Sequence, residues 1–189
     1  YRISVMGSPV AQGEVHAERE LAINPGQISQ PIQGIPTRDP AFNLEAVWID
    51  PVQREEAQSR GYTVVDLPTV IATHMSKVLQ EHANELFGHQ EAQLLLDRLG
   101  KQAPKLVEEL VPKTLPLSVI VRVMQELLRD QIPLTNVRAI CQALAEHGRT
   151  SQDPEALTAF VRVALGRSIV QRLGPQSEEL PVITLEPKL

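Results

Sequence analysis

Aromatic residues are scarce in this chain: three phenylalanines, two tyrosines and one tryptophan among 189 residues. With so little ring surface, the 42% of hydrophobic residues must build an aliphatic core from Leu, Val, Ile and Ala. That fraction is too high for a disordered chain. A basic excess is also missing. The net charge is −5, with nine acids against five bases over residues 1–66 and fourteen against thirteen over 67–189. A general nucleic-acid binder needs surplus Lys and Arg to neutralise phosphates, so the balance argues against one. The only cysteine, Cys141, excludes an internal disulfide framework and fits a reducing compartment. No apolar run approaches the roughly 18 residues that span a bilayer. The chain starts at Tyr1, without an initiator methionine and inside a strand-like run. It reads as a soluble piece of something longer.

Catalytic patterns are absent too. There is no P-loop, no strand-anchored G-x-G-x-x-G, no H-E-x-x-H, no C-x-x-C and no G-x-S-x-G. His74, His82 and His89 come nearest to a ligand cluster, but His74 and His82 lie about 80° apart around a helix and no third ligand is evident. A helix-face histidine bonded to backbone or water is the better reading. Cys141 and His147 sit six positions apart on one helix and point away from each other, so Cys141 is read as a small core residue. Neither an enzyme nor a metal or organic cofactor is expected.

Two patterns are present, one after the other. Over residues 1–66, short β-favouring runs ("RISVM", "ELAIN", "EAVWI", "GYTVVD") alternate with turn chemistry ("NPG", "QGIP", "RDP"). A short helix fits "DPVQREEAQSRG", with Asp50 as cap, Pro51 at the first position and Gly61 as stop. After Asp66 the period becomes helical. Asp66 caps a predicted helix "LPTVIATHMSKVLQEHANELF", whose Ile71, Met75, Val78, Leu79, His82 and Leu86 share a face. Helices follow at "HQEAQLLLDRLG", around "KLVEELV", at 118–131, at 135–147 with Thr135 as cap, and through "DPEALTAFVRVALGRSIVQRLG". "ELPVITL" near the end reads as a strand. The fold class is α+β: a small mixed unit, then a helical one, then the start of a further α/β unit.

Two constellations carry functional weight. Helices 118–131 and 135–147, joined through Ile132 and Pro133, imitate a helix-turn-helix DNA reader with Arg138 and Gln142 as candidate contacts. That stretch carries three arginines and three acids, so the phosphate attraction is missing, and as a packed helix pair it needs no further explanation. The second is "TRDPAFNLEAVWI". Here Phe42 sits directly behind an Asp-Pro turn, and Trp48 lies in the following strand. Either both rings fill the small unit's core, or Phe42 belongs to a shallow apolar dimple with Asp39 at its rim, suited to gripping a partner helix. The pattern alone leaves these two open.

Long collinear strings narrow the choice. "LAINPG", "GIPTRDPAF", "AVWI", "GYTVVD", "PTVIATH", "LFGHQEAQLLLDRL", "PKLVEELVP", "QELLRDQIPLTNVRAICQALAEH" and "DPEALTAFVRVALGRSIVQRL" cover nearly the whole chain. Together they resemble the cytoplasmic domain of the FlhA family of flagellar type III export-gate proteins. Injectisome export gates are sister members, and "VIATH" and "VRVALGR" look the more flagellar.

The resemblance implies a protein with an N-terminal membrane bundle not included here, on the cytoplasmic face of the bacterial inner membrane, and a cytoplasmic region of four subdomains. Residues 1–17 would end the first, 18–66 form the second, 67–86 return to the first, 87–166 form the helical third and 167–189 begin the fourth. It also implies docking of export chaperone–cargo complexes between the first two subdomains, at positions matching Asp39, Phe42 and Thr73, with Ile23, Pro25, Leu44, Val65 and Val70 as the apolar wall. The third subdomain would build a nine-membered ring, and other export-apparatus proteins would be partners. Two departures stand out. Asn43-Leu44-Glu45 replaces the commoner Gly-Leu-Pro or Gly-Leu-Asn and adds a charge, and Asn136 replaces a usual aspartate.

Overall fold

In the computed structural model residues 1–173 are described, apart from Gln27 and Ser29. The chain divides into two compact units, Tyr1–Leu86 and the part from Phe87 onward. The strand expected at "ELPVITL" lies outside the described residues.

The first unit opens with a hairpin. Strand β1 (Arg2–Val5) pairs antiparallel with β2 (Ser8–Gln12) across Met6 and Gly7. Both turn residues have positive φ, 49° and 85°, the conformation that matches the right-handed twist of the flanking strands. Strands β3 (Glu20–Ile23), β4 (Ile35–Arg38), β5 (Glu45–Ile49) and β6 (Thr63–Val65) form an antiparallel sheet in the order β4-β5-β3-β6. β2 and β4 were not expected from the sequence, because Pro9 and Pro36 argue against strands. Both prolines sit where a missing donor is tolerated, Pro9 in a two-stranded hairpin and Pro36 in an edge strand.

Register explains how the sheet separates two small cores. Leu21 lies opposite Trp48 and Val65, and Ile23 opposite Ala46. These side chains share one face and pack with Val70 of helix α2 (Leu67–Glu81). The alternate residues Ala22, Ile49 and Val64 face the other way, onto Ala57 of helix α1 (Arg54–Ser59), Ile32 and Tyr62. Asp50 does cap the segment before α1. Its Oδ1 accepts from Val52 N at 3.1 Å, but the first turn, Pro51–Gln53, is a 3₁₀ turn.

Helix α2 starts where its cap requires, with Asp66 Oδ1 accepting from Thr69 N at 3.0 Å. It ends at Glu81, and a separate short helix α3 (Ala83–Leu86) follows, so the single expected helix is broken at His82. The buried row is Val70, His74 and Val78, whereas Met75 and Leu79 are each 46% exposed. The face shared by Ile71, Met75 and Leu79 is therefore not the one laid on the sheet. Val70 packs with Leu21 and Trp48 and sets the helix phase.

The second unit is helical: α4 (His89–Gly100), α5 (Pro104–Glu108), α6 (Leu117–Arg129), α7 (Val137–His147), α8 (Pro154–Ala164) and α9 (Gly166–Leu173). A wide π turn, Glu109–Thr114, carries the chain past Pro112. The cap of α7 is Asn136, whose Oδ1 accepts from Ala139 N at 3.1 Å, rather than Thr135. The long helix expected over 153–174 is split at Leu165, which turns its side chain into the core. That core is aliphatic. Leu96, Leu110, Leu115, Ile120, Leu127, Ile140, Leu144 and Leu157 are buried in it, with Met124 and Cys141 among them.

Candidate functional site

The turn from Arg38 to Leu44, between β4 and β5, is closed by its own hydrogen bonds. Asp39 N donates to Leu44 O at 2.8 Å, and Asn43 N donates to Asp39 O at 2.9 Å. Phe42 N donates to Asp39 Oδ2 at 2.6 Å, a charge-assisted bond, and Arg38 Nη1 donates to Asn43 O at 2.9 Å. Asn43 takes a φ of 57°, in the left-handed region that asparagine tolerates better than most residues. A glycine at that position would meet the same backbone demand.

The two rings of this stretch part company. Trp48 is buried between sheet and helix, while Phe42 stands 59% exposed and Leu44 42% exposed. The core reading thus holds for Trp48 and does not hold for Phe42. Asp39 is only 4% exposed. It is not a charged rim around a dimple; its carboxylate is turned inward to hold the Phe42 amide. The charged groups that remain at the surface of the turn are Arg38 and Glu45, opposite each other across β4 and β5.

Of the remaining candidates, Ile23 and Pro25 lie toward the turn end of the sheet, whereas Val65, opposite Leu21, sits two residues further along on the far edge strand β6. Asn24 N donates to Glu45 O at 2.8 Å, which brings exposed Pro25 beside Leu44 and Glu45. Ile23 and Val65 are half-buried and pack on Leu21, Ala46 and Trp48. Val70 is fully inside that cluster and supports the surface from below. Thr73 is half-buried on α2, next to buried His74. The recess of about 380 Å³ in this unit, between Pro36, Arg38, Glu45 and Tyr62, includes none of the eight candidates.

Sequence reading missed a pair that joins the hairpin to α2. The Tyr1 hydroxyl lies 2.7 Å from His74 Nδ1, and the rings meet edge to face with centroids 5.7 Å apart. Burial raises the Tyr1 pKa, and the Asp39 carboxylate nearby raises it further, so the phenol stays protonated. Tyr1 and His74 are 73 positions apart, and no local motif signals the pair.

The helix pair α6–α7 turns its apolar residues inward: Ile120, Met124, Leu127, Ile140, Cys141 and Leu144 are all buried. Arg129 is bonded to Glu126 at 2.6 Å, which removes one of the three bases from any phosphate contact. Among the described residues no three His, Cys, Asp or Glu side chains come together to hold a metal ion, and no helix is long and apolar enough to cross a membrane.

This fold is shared with several solved structures. The Chlamydia pneumoniae CdsV protein superposes with a TM-score of 0.77 at 21% identity, over 88% of this chain and 48% of that one. A nonameric EPEC SctV-C structure gives 0.66 at 22% identity, over 88% of this chain and 50% of the other. A complex of CdsV with CdsO gives 0.74 at 21%, covering 93% and 52%.

The chain belongs to the FHIPEP family, which it matches over residues 1–189. It is 50% identical to the flagellar biosynthesis protein FlhA of Proteus mirabilis over 186 residues, and 47% identical to that of Escherichia coli K12 over 189. It spans 98% and 100% of itself in these matches and 27% of either relative's length.

Proposed function

We propose that this chain is part of the cytoplasmic docking platform of a flagellar type III protein export gate, anchored at the bacterial inner membrane by parts of the protein outside these residues. Its first unit docks export chaperone–cargo complexes, and its second takes part in a ring of identical copies. Family membership and the FlhA relatives support the export-gate role, and nonameric assemblies of fold neighbours support the ring. In this reading residues 18–66 are one subdomain, 1–17 and 67–86 belong to a neighbour completed by upstream chain, 87–166 are the ring-forming subdomain, and 167–189 begin another.

One observation carries the docking proposal: Phe42 is 59% exposed on a turn held rigid by four hydrogen bonds. An exposed aromatic on a floppy loop would lose most of its contact energy to ordering, whereas a preorganised one keeps it. Phe42 and Leu44 are the anchors in contact with the partner. Ile23, Pro25, Val65 and Thr73 extend the docking surface across the sheet and α2, and Val70 supports it from within. Asp39 acts by positioning the ring.

Titrating a chaperone–cargo complex onto variants of the domain tests this. Truncating a true anchor costs about 2 kcal/mol or more, so Phe42→Ala weakens binding by about thirtyfold. Asp39→Asn, which keeps an acceptor for the Phe42 amide, binds more tightly than Asp39→Ala. Unchanged affinity in Phe42→Ala and Leu44→Ala, with native circular dichroism, removes this turn from the docking surface.

A further inference from the structure

The sheet of the first unit has one open edge, and it runs directly into the Phe42 turn. Strand β4 lies outermost in the order β4-β5-β3-β6, and its Ile35, Pro36 and Arg38 are exposed. Bonded and non-bonded pairs alternate along an antiparallel ladder. Because Asp39 N donates to Leu44 O, the bonded pairs of β4 with β5 are Thr37–Ala46 and Ile35–Trp48. Arg38 and Pro36, the alternate residues, turn their backbone groups the other way. Glu45, opposite Arg38, agrees with this phase, since its carbonyl accepts from Asn24 N on the β3 side. The free edge thus presents the N–H and carbonyl of Arg38 and the carbonyl of Pro36, which as proline has no N–H. The other edge is not open in this way. In β6 the central Val64 is buried, and Tyr62 N just before the strand donates to Ala57 O at 3.0 Å.

We propose that the partner held at Phe42 also lays an extended segment of its chain along β4, pairing its backbone with Arg38. The inference rests on the docking reading above and adds what the partner must offer beside that turn. An unpaired sheet edge accepts a further strand, with main-chain bonds giving affinity and side-chain pockets giving selectivity. A recess of about 380 Å³ adjoins β4, walled in part by Pro31, Pro36, Val47 and Tyr62, and takes an apolar side chain of that segment. Arg38 gives one N–H to Asn43 O and, among the described residues, has no carboxylate within ion-pair distance, although Glu45 stands opposite. Its remaining N–H groups are left to take an acid on the incoming segment. The segment is therefore short and extended, and carries an acidic residue near an apolar one. A second copy of this chain fits the edge poorly, because Pro36 removes the next outward donor from both copies.

Amide exchange and a proline substitution test this on the 189-residue chain with the same chaperone–cargo complex. In the free chain the Arg38 amide exchanges fast and the Thr37 amide, paired with Ala46, exchanges slowly. Binding of the complex slows Arg38 by about tenfold or more and leaves Thr37 unchanged. Arg38→Pro and Arg38→Ala lose the same side chain, but only the proline also loses the edge N–H. Arg38→Pro therefore binds about three- to tenfold more weakly than Arg38→Ala. Equal affinities of these two, or an Arg38 amide that exchanges as fast in the complex as alone, overturn the pairing, whatever Phe42→Ala does. Protection of Arg38 together with undiminished affinity in Phe42→Ala supports the edge and refutes the docking turn. Protection of Arg38 that appears without the complex, with dimers in sedimentation, makes the occupant a second copy and overturns the proposal.

Discussion

Asp39 and Phe42 are three positions apart, and the fold treats them in opposite ways. An aromatic residue beside an Asp-Pro turn was open to two readings from the sequence, and exposure of the ring was one of them. That the acid would be the buried member of the pair was not readable. Its burial depends on a side-chain bond back to the Phe42 amide, a local closure that many Asp-containing turns make and many do not. The Tyr1–His74 pair was out of reach for another reason, since only the tertiary fold brings the hairpin to α2. Cys141 was readable, because a lone cysteine on the apolar side of a helical pattern belongs inside. Burial pushes its thiol pKa up to about 12 from 9.0. The neutral thiol is thus favoured in the folded state, and this contribution is fully present below about pH 9. Between about pH 9 and 12 the unfolded chain loses the proton and the folded one keeps it, so stability falls as pH rises, by up to about 1.4 kcal/mol per pH unit from this group. Thiol labelling at pH 8 is expected to be slow in the native protein and fast in urea, and Cys141→Ala makes the decline of stability above pH 9 shallower, leaving the part that Tyr1 contributes. Equal labelling rates in both states refute the assignment.

Elements were more readable than residues, and their failures share a cause. Helices α4, α6 and α7 lie close to where period and caps put them, because each has one apolar face against one core. Strands β2 and β4 were hidden by proline. Helix α2 was found, but of the face expected to gather Ile71, Met75, Val78, Leu79, His82 and Leu86 only Val78 is fully buried, and the inner row is Val70, His74 and Val78. Contact with Leu21 and Trp48 decides between the rows, and that is a property of the sheet. The two faces therefore predict different energetics. Val78→Ala destabilises the first unit by about 1–3 kcal/mol through lost burial and a residual cavity. Met75→Gln and Leu79→Gln stay within about 0.5 kcal/mol in the 189-residue chain, as half-exposed positions do. Urea titrations followed by Trp48 emission measure all three, and a large loss in Leu79→Gln with none in Val78→Ala shows that the helix is rotated from this phase.

At the scale of the whole molecule, the switch in period after Asp66 marked the change from mixed to helical structure, yet the division into units comes twenty residues later, at Leu86 and Phe87. Helix α2 belongs to the first unit because it covers one face of the sheet, a role that no pattern within the helix announces. Each unit consequently has its own core: Leu21, Ala46, Trp48 and Val70, with Ala22, Ile49 and Tyr62 on the other face, against the aliphatic cluster around Leu127 and Ile140. Cores that share no residues need not melt together. The tryptophan content makes this measurable. Trp48 is the only tryptophan and reports on the first unit, whereas far-UV circular dichroism is dominated by the helices of the second. Leu127→Ala opens a cavity beside Ile120 and Met124 and costs about 2–5 kcal/mol, so it moves the dichroism transition to lower urea and leaves the Trp48 transition in place. Val78→Ala does the reverse. Equal displacement of both signals by either substitution would mean that the chain unfolds as one cooperative body. Docking at Phe42 would then no longer be separable from the behaviour of the second unit, because any loss in one unit would be felt in the other.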